Sequence, residues 1–243
     1  YKNEGLVAFA KETNWPFYVD HAAGKGYLHL GRFMDAVKKK KDITVRPNSL
    51  ADPKTIEAMK KLIAENVNSA KGSSVVAYAL DDEVSLGAFC SPCEVDGHPN
   101  SVAGYRKFLA EMYRTVEKLN AQYGTAYKSF DEIAPKAYEA FRGQLKPDGI
   151  GALNLSQWCD WRAYMDTQFA GCIAEMAQFA NGMDASVPAG FVGGQAPAAY
   201  GGYDYRKLCA AAQWMEAYDI GGNNEILRSF WNAFRLALIC LTA

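Results

Sequence analysis

Residues 75–83 constrain this chain more tightly than any other stretch. Val-Val-Ala-Tyr-Ala-Leu is a short apolar run that ends in three consecutive carboxylates, Asp81, Asp82 and Glu83. An apolar run of this length bounded by polar residues reads as a buried strand, the kind that builds parallel sheets. In α/β folds ligands gather at the carboxyl ends of such strands, so these acids are expected to face substrate.

The rest of the chain repeats the alternation. A strand is predicted over residues 15–20, ending at Asp20 and His21, and a helix over 52–69 with Pro53 in its first turn. Ile56, Met59, Leu62, Ile63 and Val67 recur at helical spacing and would pack on a sheet. After residues 75–82 comes a long helical excursion. One amphipathic helix runs from Ser101 through Leu119, residues 123–135 form a polar, aromatic loop, and a second long helix covers 155–181. Further strands are predicted at 187–192, 214–220 and 234–242, separated by helices at 203–213 and 223–232. Residues 1–13 read as the end of a helix with Leu6, Val7, Phe9 and Ala10 on one face. Strand–helix alternation implies parallel strands with right-handed crossovers, either a doubly wound sheet or a (β/α) barrel. No Gly-x-Gly-x-x-Gly follows a strand, which disfavours a dinucleotide-binding sheet and favours the barrel.

Charge and composition remove several functions. With 26 basic and 27 acidic residues the net charge is −1, which gives no reason to expect nucleic acid or an anionic membrane. The basic run at 38–41 reads as a solvated helix face, and no apolar run approaches the roughly 18 residues of a bilayer span. There is no signal peptide pattern. The chain opens on Tyr1 inside a helix-like pattern, so a piece of a longer protein is expected, folding as a single barrel-type domain over 1–243. Six cysteines in a chain of this size do not form a disulfide framework. Cys159, Cys172, Cys209 and Cys240 read as small core residues. Cys90-x-x-Cys93 could be half of a zinc site, with His98 the nearby third ligand. A lone pair of this kind is a weak signal, and no metal or cofactor is assigned. His98 otherwise reads as a turn residue ahead of Pro99.

Asp20 and His21, the 81–83 acids, and Tyr218 with Asp219 each close a predicted strand. In a barrel those ends converge on one face. Paired carboxylates there suit acid and nucleophile roles on a glycosidic bond, while Trp158, Trp161 and Trp214 offer flat faces for sugar rings. The plainer alternative is that the acids cap helices or pair with basic residues, and that Trp158 and Trp161, three apart on a helix, are core.

At Leu80-Asp-Asp-Glu-Val-Ser, followed by Phe89-Cys-Ser-Pro-Cys, the chain resembles family 42 glycoside hydrolases, the β-galactosidase-type barrels of clan A. The resemblance continues through Tyr105-Arg-Lys-Phe-Leu and Val116-Glu-Lys-Leu-Asn-Ala-Gln-Tyr-Gly-Thr, similar to the family's Phe-Arg-x-Trp-Leu and Leu-Asn-x-x-Trp-Gly-Thr. It is strongest over 75–175. It implies a (β/α)8 barrel present in part, strands three to seven, with 75–82 as the fourth. Glu83 then takes the family's acid/base role, and Asp20, His21, Asp82, Gln195, Tyr218 and Asp219 would line a carbohydrate site. Asp82 stands where the family has Asn, so it can accept from a sugar hydroxyl but not donate as an amide does. The Cys pair falls where the family binds zinc, but the cluster is incomplete. The family's nucleophile, a Glu closing the seventh strand, has no counterpart, because no acid follows Glu225. The expected partner is a carbohydrate substrate, with a homo-oligomer allowed. The competing expectation is an inactive barrel that binds glycans or serves assembly.

Overall fold

The computed structural model describes residues 4–31, 35, 41–144, 153–218, 220–230 and 236–239, the last of these as backbone alone. Among them, five strands form one sheet in chain order: β1 (Phe17–Val19), β2 (Val75–Asp82), β3 (Ala189–Gly194), β4 (Trp214–Ala217) and β5 (Leu236–Ile239). Every neighbouring pair is parallel. The α/β class with a parallel sheet, expected from the alternation, is therefore the one observed. The helices are α1 (Glu4–Thr13), α2 (Pro53–Ala70), α3 (Pro99–Tyr113), α4 (Val116–Tyr123), α5 (Glu139–Arg142), α6 (Ser156–Met183), α7 (Tyr205–Ala211) and α8 (Asn223–Phe230).

The two faces of the sheet differ. Val19, Tyr78, Leu80, Phe191 and Met215 join the main core with Met59, Ile63 and Val67 of α2 and Phe169, Ile173 and Met176 of α6. Each such side chain contributes about 1.5–3 kcal/mol on burial. On the other face Ala77, Ala79 and Trp214 form a small separate cluster against Val192, and the ring of Tyr18 meets Trp214 edge-on. Strand alternation puts Asp81 and Glu216 on this second face, one step further toward the carboxyl ends. Gly190 lets β3 and β4 come close, since a Cβ there would sit 1.8 Å from the Trp214 carbonyl oxygen.

α2 starts where Pro53 and the cap at Asp52 direct it; the Asp52 carboxylate accepts from Lys54 N–H at 3.0 Å. His98 caps α3, its Nδ1 accepting from Asn100 N–H at 3.2 Å. Four expectations need correction. The single helix from Ser101 to Leu119 is two, because Arg114 adopts a positive φ of 68° and Thr115 caps a new helix. In α1, Val7 and Ala10 are buried but Leu6 and Phe9 are exposed, so the apolar stripe is narrower than the sequence suggests. Cys159 is exposed, on a side of α6 turned away from the core, whereas Cys172 and Cys209 are buried. Trp214 is 1% exposed and so offers no flat face to a sugar ring; Trp161 is wholly buried with its ring edge-on to Tyr105, the core role expected of it, and Trp158 is half-buried and donates Nε1–H to Glu94 at 2.9 Å. Cys240 and residues 38–40 of the basic run lie outside the described residues. Among the described residues no helix is long and apolar enough to cross a membrane.

Candidate active site

Successive strands deliver their polar ends to one rim. β1 runs into Asp20 and His21, β2 into Asp82 and Glu83, β3 into Gly193 and Gln195, and β4 carries Glu216 and leads to Tyr218. Two of these strand ends leave the sheet through a positive φ, His21 at 50° and Glu83 at 49°, and Gly193, still within β3, adopts 70°. For a non-glycine residue such a conformation costs about 1–3 kcal/mol and persists only where the surroundings impose it. At Glu83 the N–H donates to the Val192 carbonyl at 3.1 Å, and the carbonyl oxygen lies 3.0 Å from His29 Nδ1.

The Glu83 side chain is 39% exposed, open enough to meet a ligand. Its Oε1 accepts from the Tyr218 hydroxyl at 3.2 Å, and its Oε2 lies 3.9 Å from His29 Nδ1. Burial, and then the charges of Glu83 and Asp82, push the Tyr218 phenol well above its ordinary range, so it is a hydrogen-bond donor throughout the working pH range. Tyr18 is raised likewise by burial and by Asp20, Asp82 and Glu216. Asp82 lies against β3: a Cβ on Gly193 would fall 2.6 Å from its Oδ1 and 2.6 Å from the Glu83 nitrogen. Glu216 accepts from Gly193 N–H at 2.5 Å.

Behind this rim sits Asp81, fully buried. Its Oδ2 accepts from the backbone N–H groups of Gly26, Leu28 and His29 at 3.2, 3.3 and 3.2 Å. Its Oδ1 accepts from Asp82 N–H at 3.0 Å and lies 2.7 Å from His21 Nδ1. The other ring nitrogen of His21 lies 3.2 Å from Asp20 Oδ2. The hydrogen bond to Asp81 outweighs burial and raises the His21 pKa above 6.5.

The structure thus brings Asp82, Glu83 and Tyr218 together. Asp20 reaches the same rim, but His21 is only 4% exposed and faces two carboxylates instead of the opening. Gln195 is half-buried, donating to the Gly193 carbonyl at 3.0 Å, while its own carbonyl accepts from Tyr205 at 2.7 Å. Asp219 lies outside the described residues. Residues that sequence reasoning passed over are His29, Asp81 as an anchor, and Glu216. Glu216 was findable, since it shares a strand face with Tyr218 two residues on. His29 sits in a loop with no motif, and nothing in the sequence marks it. Cys90 is exposed and Cys93 buried, both as free thiols. Among the described residues no group of three or more His, Cys, Asp or Glu side chains is arranged to hold a metal.

Among curated proteins none matches this chain. Solved structures do share its fold. The beta-galactosidase of the psychrophilic Marinomonas ef1 aligns at a TM-score of 0.52 with 18% identity, over 70% of this chain and 24% of its own. That of the Antarctic haloarchaeon Halorubrum lacusprofundi aligns at 0.56 with 12% identity, over 90% and 38%. The family 42 exo-carrageenase of Bacteroides ovatus aligns at 0.55 with 14% identity, over 83% and 27%. The chain therefore spans between about a quarter and two fifths of these proteins. The sequence model of the glycoside hydrolase 42 family, described as beta-galactosidase, matches residues 38–218. With most of its length matched, the chain belongs to glycoside hydrolase family 42.

Proposed function

We propose that these residues form strands three to seven of a (β/α)8 barrel, as a single domain within a longer chain, and that the site acts on a β-galactoside-like carbohydrate with retention. Glu83 is the general acid/base. As a carboxylic acid it gives its proton to the departing glycosidic oxygen; as a carboxylate it then takes one from the water that attacks the sugar. Asp20, Asp82, Gln195, Tyr218 and Asp219 supply the sugar-facing polar surface, and His21 supports it from behind. The observation that carries this reading is the Glu83 carboxyl, half open at the end of β2 and hydrogen-bonded to Tyr218 from the end of β4.

Glu83→Gln keeps the shape and removes the proton, so turnover of an aryl β-galactoside should fall about 10²–10⁴-fold with an unchanged circular dichroism spectrum. Unchanged turnover removes the assignment. A second reading is that the site holds a glycan without cleaving it; its support is that residues 226–243 contain no carboxylate side chain to work with Glu83. The protein would then bind glycans, or serve assembly, without cleaving them. Calorimetric titration with galacto-oligosaccharides beside an activity assay separates the two. Binding without turnover supports the second reading, and turnover by this chain alone excludes it.

A further inference from the structure

The loop from Ala22 to Leu30 is sewn onto the end of β2 from both sides of Glu83. Before it, Asp81 gathers three loop amides, and Ala22 and Ala23 donate to the carbonyls of Ala79 and Leu80 at 2.8 Å each. After it, Ser85 N–H donates to the Leu28 carbonyl at 2.8 Å. The loop in turn supplies His29, whose Nδ1 holds the Glu83 carbonyl oxygen. The left-handed backbone at Glu83 is therefore imposed by a loop whose own shape is set by Asp81.

Asp81 is a carboxylate with no exposure, and such a charge is costly unless paired and hydrogen-bonded. His21 supplies the pairing. Its ring lies between Asp81 and Asp20, with Lys25 in the same loop the opposing cation and Asp82 acting on Asp20. When the imidazole is charged, Asp81 has a compensating cation and its grip on the loop amides is strong. When it is neutral, Asp81 keeps its amides but loses that compensation.

We propose that His21 is a positioning residue: clamped between Asp20 and Asp81, it fixes loop 22–30 on the end of β2 and so sets the direction in which Glu83 is presented. The inference rests on the reading of Glu83 as the acid/base. It assigns His21 no contact with substrate.

The test uses the 243-residue chain, isotope-labelled, in two arms. In the first, nuclear magnetic resonance follows the His21 ring through pH. The amides of Gly26, Leu28 and His29 and the carbonyl and carboxyl carbons of Glu83 should shift with the midpoint of His21. In the second, His21→Asn keeps one donor toward Asp81 but no charge. The linked shifts should vanish and kcat on an aryl β-galactoside should fall about tenfold, with KM within twofold and the His21-dependent limb of the pH profile gone. Loop and Glu83 signals that ignore the His21 midpoint overturn the proposal, as does a variant with wild-type kcat and pH profile. Failure of the acid/base reading looks different: Glu83→Gln retains turnover while the linked shifts persist. If the variant fails to fold, or the chain shows no turnover, the wild-type shifts decide.

Discussion

Gly193 marks how little space surrounds the acidic end of β2. It adopts a φ of 70°, and a methyl group there would meet Asp82 Oδ1 and the Glu83 nitrogen at 2.6 Å each. Gly193→Ala should therefore cost about 1–3 kcal/mol in chemical denaturation and depress turnover more than that loss of stability explains. Asp166, in the middle of α6, carries a different load. Burial pushes its carboxyl up to about 6, against partial relief from Lys207 and Arg162. The folded chain thus holds the proton more tightly than the unfolded one, and stability should fall as pH rises from 3.8 to about 6. Asp166→Asn should raise the melting temperature at pH 8 and leave it nearly unchanged at pH 3.5. The acidic run itself shows what sequence can and cannot say about single residues. Three acids after an apolar run marked this strand end as the candidate site, and the resemblance to the family singled out Glu83 within it. That Asp81 is an internal anchor depends on amides of residues 26–29, which reach it only through the tertiary fold.

The helical excursion was visible as helix but not as two helices. Leu109, Met112, Val116 and Leu119 keep an apolar rhythm across the break, and the period alone cannot register a turn that preserves the stripe. The local signal was Thr115, whose hydroxyl accepts from Lys118 N–H at 3.4 Å and starts α4. Thr115→Ala should destabilise the chain by about 1 kcal/mol. Arg114, held at a φ of 68°, should improve when replaced by glycine. Arg114→Gly is expected to add roughly 0.5–1 kcal/mol, read as a higher denaturation midpoint at constant m-value. Strand and helix order survived from sequence to structure because burial on one face imposes a period. The strand that carries the acids kept its expected bounds, 75–82, whereas β3 moved two residues, from 187–192 to Ala189–Gly194, and β4 ended three residues early, at Ala217, because sheet pairing and not the apolar run sets where a strand stops.

At the scale of the molecule, one cation ties the segment after the first loop to the segment after β2. Arg46 is 1% exposed, donates Nε–H to Leu86 at 2.8 Å and Nη2–H to Ser85 at 3.3 Å, and reaches the carbonyls of Pro47 and Asn48 through Nη1. Burial lowers its pKa to about 10, still protonated at neutral pH. Arg46→Lys cannot reproduce that fan of donors and should cost about 3 kcal/mol, measured by urea unfolding. The His21 clamp adds a pH dependence of its own. Because its folded pKa is raised above 6.5, its contribution is complete below that pH and is lost as pH climbs through the raised value.

The spacing of the contacts that hold Glu83 has a kinetic meaning. Asp81 meets its partners across 52 to 60 residues, and Tyr218 reaches Glu83 across 135. Each closure carries a chain-entropy cost that grows with the logarithm of the loop, so long-range pairing comes late in folding. A nascent chain that has reached β2 already contains the acid but cannot yet aim it. The Tyr218 hydrogen bond forms only after β4 docks, so the Glu83 carboxylate waits for a partner that lies 135 residues further along the chain.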